Sequence, residues 1–338
     1  MATSPSRQPR LLKVRTTLVK YGVRFTVFQP RATSAIKNRT VRAIVNYVLF
    51  ILQTAIVNAD VVWVSNCPDI TALSFAFLRR RYVYDYRSPW SMELAIDFGN
   101  GLFYRASKVV EKIARRYAAV IVVVSKRMAR DVTSLGTPIF VVPNYPFRDF
   151  AANVDRATFR RRLGVSESAK VVIFMGRLTR IEGADLLGEV AETLAGIPDT
   201  KLWVVGDGNL RDYIQGLVSK YPNTVTLFGW VLHSDVPNYI AAADVSIMPR
   251  HSTPNAEYYS EEGVHKISES LWLGTPVVAS NAAKSQNYTS ADEGSFIKTL
   301  VSFLSTPVMN SANIPAWEEL SEPELIKAIS TAAGLARG

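Results

Sequence analysis

Two glutamates stand eight positions apart in the segment EEGVHKISESLWLGTPVVAS, residues 261–280. The pattern predicts a short helix that begins near Gly263–Val264 and ends near Leu273, so Glu261 precedes the helix and Glu269 lies on it. The N-terminus of such a helix offers unpaired N–H groups and the positive end of its dipole to phosphate. A carboxylate accepts hydrogen bonds from two hydroxyl groups at once. The segment is therefore suited to hold phosphate at the helix end and hydroxyl groups at its carboxylates.

Cationic side chains accompany these glutamates. Lys266 lies in the first turn of the predicted helix and adds a point charge. Arg177 follows a predicted strand in GRLTRIEGADLL, and a guanidinium group binds phosphate through two hydrogen bonds. Glu182 lies five residues after Arg177, where a carboxylate repels a phosphate, and Arg180 can compensate only if it points inward. The same segment thus contains features that favour and oppose phosphate binding.

The elements that position these residues are predicted from runs of apolar residues. Most runs are continuous rather than alternating, which is typical of parallel strands covered on both faces, and helical patterns separate them. Alternation of strands and helices occurs twice and predicts an α/β fold of two Rossmann-like domains that face a cleft. The strands are expected at residues 23–28, 60–65, 82–86, 120–125, 139–144, 170–176, 201–207, 224–230, 244–249 and 276–280.

The domain boundaries follow from the polar stretch at 144–169. We expect an acceptor-side domain at 1–147, a nucleotide-sugar-binding domain at 148–310 and a helical tail at 311–338 that packs back on the N-terminal domain. A helical pattern feeds the strand predicted at 23–28, although doubly wound domains usually open with a strand, so the first strand of the N-terminal domain is expected to be missing.

Charge and composition indicate the kind of partner and the cellular location to expect. Residues 1–150 hold 23 Lys and Arg against 8 Asp and Glu, a net of +15, and residues 151–338 hold the remaining 16 and 21, a net of −5. The basic half indicates an anionic partner such as a membrane surface. Cys67 is the single cysteine, so no internal disulfide forms, and a cytoplasmic location is expected, with a peripheral position on the inner face of the membrane as a further candidate.

The apolar segment at 40–59 leaves two interpretations open. A buried crossover helix is favoured, because a helix that is apolar on every face is usually buried. The alternative is a helix partly embedded in a bilayer surface, with Lys37, Arg39 and Arg42 preceding it.

Several motifs occur in register along residues 171–280: FMGRL, VVGDGNL, LFGWVLHSDVPNYIAAADVSIMP, and E-x7-E followed by LGTPVVAS. In this order they resemble the donor-binding domain of family 4 glycosyltransferases, which have the GT-B fold. The first half is similar more loosely, through VVVSKRM and FVVPN. The resemblance covers most of the chain.

The resemblance implies roles for individual residues. Glu261 would meet the transferred sugar and Glu269 the ribose hydroxyls, while Arg177 and Lys266 would hold the diphosphate. The family usually has a lysine where this chain has Glu182. Remaining contacts with the nucleotide-sugar are expected from residues on neighbouring strand ends and on the helix start: Gly206, Asp207, Gly208, Trp230, His233, Gly263 and Val264.

In the first half the family often has a histidine, which is absent here, and Asp85 is a weaker candidate for an acceptor-side base. The implied reaction moves a sugar from a UDP-sugar or GDP-sugar to an acceptor, with retention at the anomeric carbon. The expected acceptor is a lipid-linked glycan or a polysaccharide. No cofactor and no metal are expected, and nucleic acid is not expected as a partner. Two alternatives stay open: a sugar-nucleotide epimerase, and a non-catalytic GT-B subunit that supports a partner protein.

Overall fold

The computed structural model describes residues 8–28, 34–66, 68–99, 101–132, 136–253, 256–307 and 313–335. The chain divides into two compact units, one formed by residues 1–142 with 321–338 and the other by residues 143–320. The last helix, Trp317–Ala333 (α13), contributes residues to both units. In the first unit, Lys20 and Tyr21 both donate hydrogen bonds to Glu322, at 2.6 and 3.0 Å, and so attach residues of α13 to the start of the chain.

The first unit contains a parallel sheet of four strands in the order β1-β2-β3-β4 among the residues described. Each strand is a continuous apolar run of the kind that predicts a covered parallel strand. The strands are Val62–Ser65 (β1), Tyr82–Tyr86 (β2), Val120–Val123 (β3) and Ile139–Val141 (β4). The helices are Pro9–Lys20 (α1), Arg39–Ala55 (α2), Thr71–Phe77 (α3), Trp90–Phe98 (α4), Leu102–Tyr117 (α5) and Lys126–Val132 (α6).

The strand predicted at residues 23–28 is wrong. Gly22, with φ +75°, ends α1, and the N–H of Val23 bonds to the carbonyl of Leu18 at 2.9 Å. Within the part of the chain that the structure describes, residues 24–28 pair with no strand, and most of them are exposed. An apolar alternation is not enough to make a strand when no neighbouring strand satisfies its backbone.

The buried crossover helix favoured for 40–59 is also wrong. Helix α2 forms there, but it keeps an exposed apolar stripe on one face. Helix α2 contacts α3, and α3 contacts α5, so the three helices lie side by side. Within the described part of the chain, no helix combines the length and the apolar character needed to cross a bilayer. The stripe consists of Val41, Ile44, Val48, Leu52 and, just beyond the helix, Ile56.

Asp85 is buried in the first unit and pairs with Arg10. The Arg10 Nε lies 2.8 and 3.1 Å from the two carboxylate oxygens, and its Nη1 donates to the carbonyl of Val142 at 2.9 Å. Asp85 is only 1% exposed. The hypothesis that Asp85 is an acceptor-side base is therefore wrong, because an interior ion pair holds its carboxylate.

In the second unit, the described residues form a parallel sheet of six strands in the order β10-β9-β8-β5-β6-β7. Five of its strands confirm the predicted runs, while β10 was not predicted, because Thr289–Ala291 has no apolar run. Apolar side chains cover both faces of the sheet. The strands are Lys170–Met175 (β5), Thr200–Val205 (β6), Val225–Gly229 (β7), Val245–Met248 (β8), Val277–Ser280 (β9) and Thr289–Ala291 (β10). The helices are Arg156–Arg162 (α7), Leu187–Ala195 (α8), Arg211–Lys220 (α9), Val236–Ala242 (α10), His265–Trp272 (α11) and Phe296–Ser305 (α12).

Candidate functional site

The loops that follow β5 and β6 pack against each other without room for side chains. A Cβ on Gly206 would lie 1.8 Å from the carbonyl oxygen of Gly176, and a Cβ on Gly208 would lie 2.3 Å from that of Leu178. The N–H of Leu178 also bonds to the carbonyl of Asp207 at 3.0 Å. Gly206 and Gly208, both predicted as site residues, thus allow the loops after β5 and β6 to pack in direct backbone contact.

The loop after β5 also meets the end of β8. A Cβ on Gly183 would lie 1.7 Å from the carbonyl oxygen of Pro249, and Gly183 has φ +74°, a backbone conformation that favours glycine. This close approach brings Glu182 beside Arg250. The two residues come from different loops, and the contact between them depends on a glycine at position 183.

Glu182 is the centre of a cluster of cations. Its Oε2 accepts hydrogen bonds from Lys266 Nζ at 2.8 Å and from Arg250 Nη2 at 3.0 Å. Arg177 Nη2 lies 3.8 Å from Oε1, and the Arg177 side chain is 71% exposed. Three positive charges and one negative charge leave a net of +2 at the end of β5. Arg180, in contrast, points outward and lies 3.8 Å from Asp185.

Lys266 is held from several sides. It belongs to the first turn of α11, its side chain is 11% exposed, and its Nζ lies 5.0 Å from the centre of the Phe174 ring. A Cβ on Gly176 would lie 3.1 Å from this Nζ. Burial lowers the pKa of Lys266, and the charge of Glu182 opposes that effect.

The Glu182 carboxylate stays ionised. Burial favours its neutral form, but the charges of Lys266 and Arg250 outweigh burial and lower the pKa of Glu182 far below its usual range. Arg250 is itself fixed by a hydrogen bond to the carbonyl of Ile181 at 3.2 Å and lies 3.9 Å above the centre of the Tyr259 ring. The cluster therefore combines a fixed anion with two fixed cations and one exposed cation.

Glu269 lies one turn further along α11 and is 4% exposed. Its Oε1 is 3.1 Å from His233 Nε2 and 3.7 Å from His265 Nδ1. Helix α11 ends at Trp272, close to the predicted Leu273, and Gly274 follows the C-cap with φ +74°. Glu269 and His233, which were predicted separately as site residues, are thus in direct contact, and His265 of α11 lies beside the same carboxylate.

Glu261 occupies the loop before α11. Its Oε1 accepts hydrogen bonds from Ser285 Oγ at 3.0 Å and from Asn287 Nδ2 at 2.8 Å. The loop is held by Asn144, whose Nδ2 donates to the carbonyl of Gly263 at 2.7 Å. Ser285 and Asn287 therefore fix the Glu261 carboxylate through Oε1, and neither of them binds Oε2.

The start of α11 offers backbone groups rather than a side-chain cap. Val264 precedes the helix in an extended conformation and its side chain makes no capping hydrogen bond. Of the other predicted contacts, Trp230 is partly exposed directly after β7, and Asp207 is exposed and lies 3.6 Å from Arg211. The structure thus brings Arg177 and Lys266 together around Glu182. It also places His233, from the loop after β7, against Glu269 of α11.

Several residues of the site were not predicted from the sequence. Arg250 lies two residues beyond the end of β8, and a basic residue at the carboxyl end of a parallel strand is a signal that could have drawn attention to it. Asn144, Ser285 and Asn287 carry no such signal, because amide and hydroxyl side chains are common in loops.

His251 links three segments beside this cluster. Its Nε2 lies 2.8 Å from Asp185 Oδ2, and its Nδ1 lies 2.9 Å from Glu293 Oε1. Glu293 also accepts the N–H of Ser252 at 2.8 Å. Carboxylates on both ring nitrogens favour the doubly protonated imidazolium. Because the two carboxylates lie on opposite sides of the ring, they do not converge on one point, and no metal-binding group of His, Cys, Asp and Glu occurs among the residues that the structure describes.

Comparisons with known proteins find a family match in the second unit. Residues 155–299 match the family of group 1 glycosyl transferases. An uncharacterized glycosyltransferase of Methanocaldococcus jannaschii is 28% identical over 195 residues, which cover 54% of this chain and 48% of that protein. The lipopolysaccharide core biosynthesis glycosyltransferase LpsE of Rhizobium meliloti is 31% identical over 159 residues, which cover 46% of this chain and 42% of that protein. The chain thus spans less than half of the length of these relatives.

Solved structures share the fold across nearly the whole chain. Sucrose-phosphate synthase from Thermosynechococcus elongatus has a TM-score of 0.69 at 17% identity, covering 96% of this chain and 91% of that one. Anabaena HepE, solved with UDP and glucose, has a TM-score of 0.60 at 17% identity, covering 95% and 87%. At such low identity these likenesses show the fold alone, which is the α/β GT-B fold with parallel sheets in two units.

The His251 contacts predict a pH-dependent contribution to stability. Burial disfavours the imidazolium, but hydrogen bonds to Asp185 and Glu293 outweigh burial and raise the pKa of His251. Glu293 stays ionised because the Ser252 N–H, chiefly, and then His251 lower its pKa. A raised folded pKa stabilises the protein fully below the unfolded pKa of about 6.5, and this stability is lost as pH rises through the folded pKa.

We therefore expect His251→Gln to lower the free energy of unfolding by about 1 kcal/mol near pH 6, a value discounted for the partial exposure of Glu293. The loss corresponds to a fall of about 2–4 °C in Tm, which should shrink steadily as pH rises. Thermal unfolding of both proteins between about pH 5.5 and pH 9 checks this. A difference in Tm that is the same at every pH contradicts the account.

The family match and the site occupy the same part of the molecule. Residues 155–299 include Arg177, Glu182, Arg250 and both glutamates of the E-x7-E motif. Arg177, Glu182 and Arg250 lie in the loops that follow β5 and β8. Glu261 lies in the loop before α11, and Glu269 lies on α11. The part of this chain that matches the group 1 glycosyl transferases, residues 155–299, is thus the part that carries the candidate site.

Proposed function

We propose that the chain is a retaining glycosyltransferase of the family 4 kind, and that its second unit binds a nucleotide-diphosphate sugar. The observation that carries this proposal is the cluster around Glu182, whose net charge of +2 lies beside the N-terminus of α11. A diphosphate needs such cations because charge builds on it as it leaves the sugar. HepE, which shares the fold, was solved with UDP and glucose, which supports a nucleotide-sugar as the ligand class.

The diphosphate would lie against Arg177, Lys266 and the first N–H groups of α11. Arg177 is suited to reach it because the guanidinium is largely exposed and only 3.8 Å from Glu182, a distance at which it is not committed to a close hydrogen bond. Lys266 supplies an ammonium group that contacts Glu182 in the loop after β5. These groups provide the positive charge, and no metal ion enters the proposed reaction.

The two glutamates would take the hydroxyl groups. Glu269 is buried at the side of α11 and would accept the ribose hydroxyls, with His233 and His265 fixing its orientation. Glu261 would meet the transferred sugar through its Oε2, since Ser285 and Asn287 both bind Oε1. The nearby Gly206, Asp207, Gly208 and Trp230 would line the rest of the donor site.

In the proposed reaction the bond between the anomeric carbon and the phosphate oxygen breaks, and a bond to the acceptor oxygen forms on the same face of the sugar. The proton of the acceptor hydroxyl passes to the leaving phosphate. Arg177 and Lys266 stabilise the negative charge that develops on the diphosphate. Glu261 stabilises the positive charge that develops on the sugar ring.

A titration of the full chain with UDP, GDP and ADP and their common sugars tests the donor site. We expect one nucleotide to bind, and Glu269→Ala to weaken its binding by about 10- to 150-fold, because hydrogen bonds to a charged group contribute about 1.5–3 kcal/mol. Glu189→Ala, which removes an exposed carboxylate in the first turn of α8, is the matched control and should bind normally.

Turnover then separates the alternatives. Sugar transfer that requires an added acceptor supports the transferase. Release of free sugar without an acceptor indicates the epimerase, and binding without any turnover indicates the non-catalytic subunit. If none of the nucleotides binds to the wild-type chain, the proposed function is wrong.

We further propose that the first unit takes the acceptor side and docks on an anionic membrane that carries a lipid-linked acceptor. The layer of α2, α3 and α5 provides the surface. Its exposed apolar residues include the stripe on α2 and Leu102, Phe103 and Val109 on α5. Basic residues flank the apolar ones on the exposed face of α5: Arg105, Lys108, Lys112 and Arg116.

This combination suits a bilayer surface better than water, because apolar side chains enter the acyl boundary while cations meet anionic headgroups. LpsE acts in the biosynthesis of the lipopolysaccharide core, which supports a lipid-linked acceptor. A buried interface with a partner protein would leave the four basic side chains of α5 without the anionic surface that they fit.

Sedimentation with vesicles tests the surface. We expect the chain to bind vesicles that contain anionic lipid, and Lys108→Glu with Lys112→Glu to weaken binding by about tenfold or more, since each juxtamembrane basic residue contributes about 1 kcal/mol. Binding should also fall as salt concentration rises. Lys220→Glu with Lys298→Glu, on exposed positions of the second unit, is the control. Equal binding of all variants to neutral and anionic vesicles contradicts the proposal.

A further inference from the structure

The position of Glu182 presents a conflict that the structure resolves. The family resemblance places a lysine there, and a carboxylate at that position should repel a diphosphate. Instead of facing the solvent, Glu182 lies among cations, with Lys266 Nζ at 2.8 Å and Arg250 Nη2 at 3.0 Å on the same oxygen. Its charge is therefore already compensated before any ligand arrives.

We propose that Glu182 is a positioning residue whose carboxylate holds the Lys266 ammonium at the end of β5, where Lys266 takes the diphosphate-binding role of the lysine that position 182 lacks. The inference deepens the proposed function and rests on it. The lysine that would bind the diphosphate is thus supplied by α11 in this chain, instead of by the loop after β5.

The geometry limits Lys266 to this arrangement. Its Nζ is enclosed by the Phe174 ring at 5.0 Å, by the backbone at Gly176 and by the Glu182 carboxylate. Arg250 approaches the same carboxylate from the β8 end and is held by Ile181 and Tyr259. Without the carboxylate, two cations would face each other in a largely buried space.

The loss of Glu182 would change the protonation of Lys266. Burial already lowers the pKa of Lys266, and Glu182 is the carboxylate that opposes this effect, while Arg250 and Arg177 lower the pKa further. The groups that face Lys266 are thus one anion and two cations. When the anion is removed, the ammonium loses its proton at lower pH, and the site keeps its net charge of +2 from the two arginines but loses a charged donor.

A positioning role for Glu182 and a simple repulsion by Glu182 predict opposite changes in nucleotide affinity. If Glu182 merely repelled the diphosphate, Glu182→Gln would tighten nucleotide binding. If Glu182 positions Lys266, Glu182→Gln weakens binding at neutral pH, and the loss recovers as pH falls and Lys266 is protonated again. The direction of the change and its pH dependence therefore separate the two explanations.

The experiment measures the affinity of the full chain for UDP and GDP by titration calorimetry across a range of pH. We expect Glu182→Gln and Lys266→Met each to weaken binding about tenfold or more at neutral pH, and the double variant to be no weaker than Lys266→Met alone, since the two residues act through one contact. The affinity of Glu182→Gln should decline with rising pH from a lower pH than that of the wild type. Glu189→Gln is the control and should match the wild type.

The exchanged pair Glu182→Lys with Lys266→Glu provides a rescue. It restores one anion and one cation and places a lysine at position 182, so we expect it to bind the nucleotide within about tenfold of the wild type, while Glu182→Lys alone binds far more weakly. Thermal unfolding of each variant shows which ones are folded. If Glu182→Gln fails to fold, Lys266→Met and the exchanged pair still decide the question.

The results distinguish this inference from the proposed function. A wild-type chain that binds no nucleotide contradicts the proposed function and the inference that rests on it. A wild-type chain that binds, with Glu182→Gln binding equally well or more tightly at every pH, leaves the donor site in place and overturns the positioning role of Glu182 alone.

Discussion

The proposed donor site depends on the Glu182 carboxylate, which is shared by Lys266 and Arg250. These cations come from α11 and from the end of β8, while Glu182 itself follows β5, so one anion joins three segments of the second unit. A buried cation is unfavourable without a paired anion. The carboxylate therefore allows positive charge to be concentrated next to a helix N-terminus, where a diphosphate can use it.

The backbone makes this arrangement rigid. The close approaches at Gly183, Gly206 and Gly208 leave no space for a Cβ, so the loops after β5, β6 and β8 form one packed surface. Asn144 fixes the loop before α11 in a similar way, through the carbonyls of residues 262 and 263. Groups that are held before the ligand arrives need little rearrangement during the reaction, which is how fixed dipoles and charges lower a barrier.

Much of the fold could be predicted from the sequence, because buried parallel strands are continuous apolar runs. The run at 82–86 became β2 with the same limits, and the strands of the second unit lie within the predicted runs or within one residue of them. The strand at 23–28 was wrong because pairing depends on a neighbour that the local pattern does not show. The exposed stripe of α2 was missed for a related reason. An apolar helix face in the sequence does not show whether another element of the fold packs against that face.

For the site, spacing placed Glu261 before α11 and Glu269 on it, because one short helix sets their relation. Charge pairs between distant segments were not predictable. Glu182 was interpreted as a repulsive group, since its contact with Lys266 joins residues 84 positions apart in the sequence. Arg250 was overlooked for the same reason, and Asp85 was misjudged because the sequence does not show its burial with Arg10.

A crystal structure of the full chain with the nucleotide diphosphate that binds best tests the central claim most directly. The account predicts that the phosphates lie within hydrogen-bonding distance of Lys266 Nζ and the Arg177 guanidinium at the start of α11, with Glu182 still bound to Lys266 and the ribose at Glu269. A nucleotide bound elsewhere on the chain, or phosphates that displace Lys266 from Glu182 and leave that ammonium without contact, would contradict it.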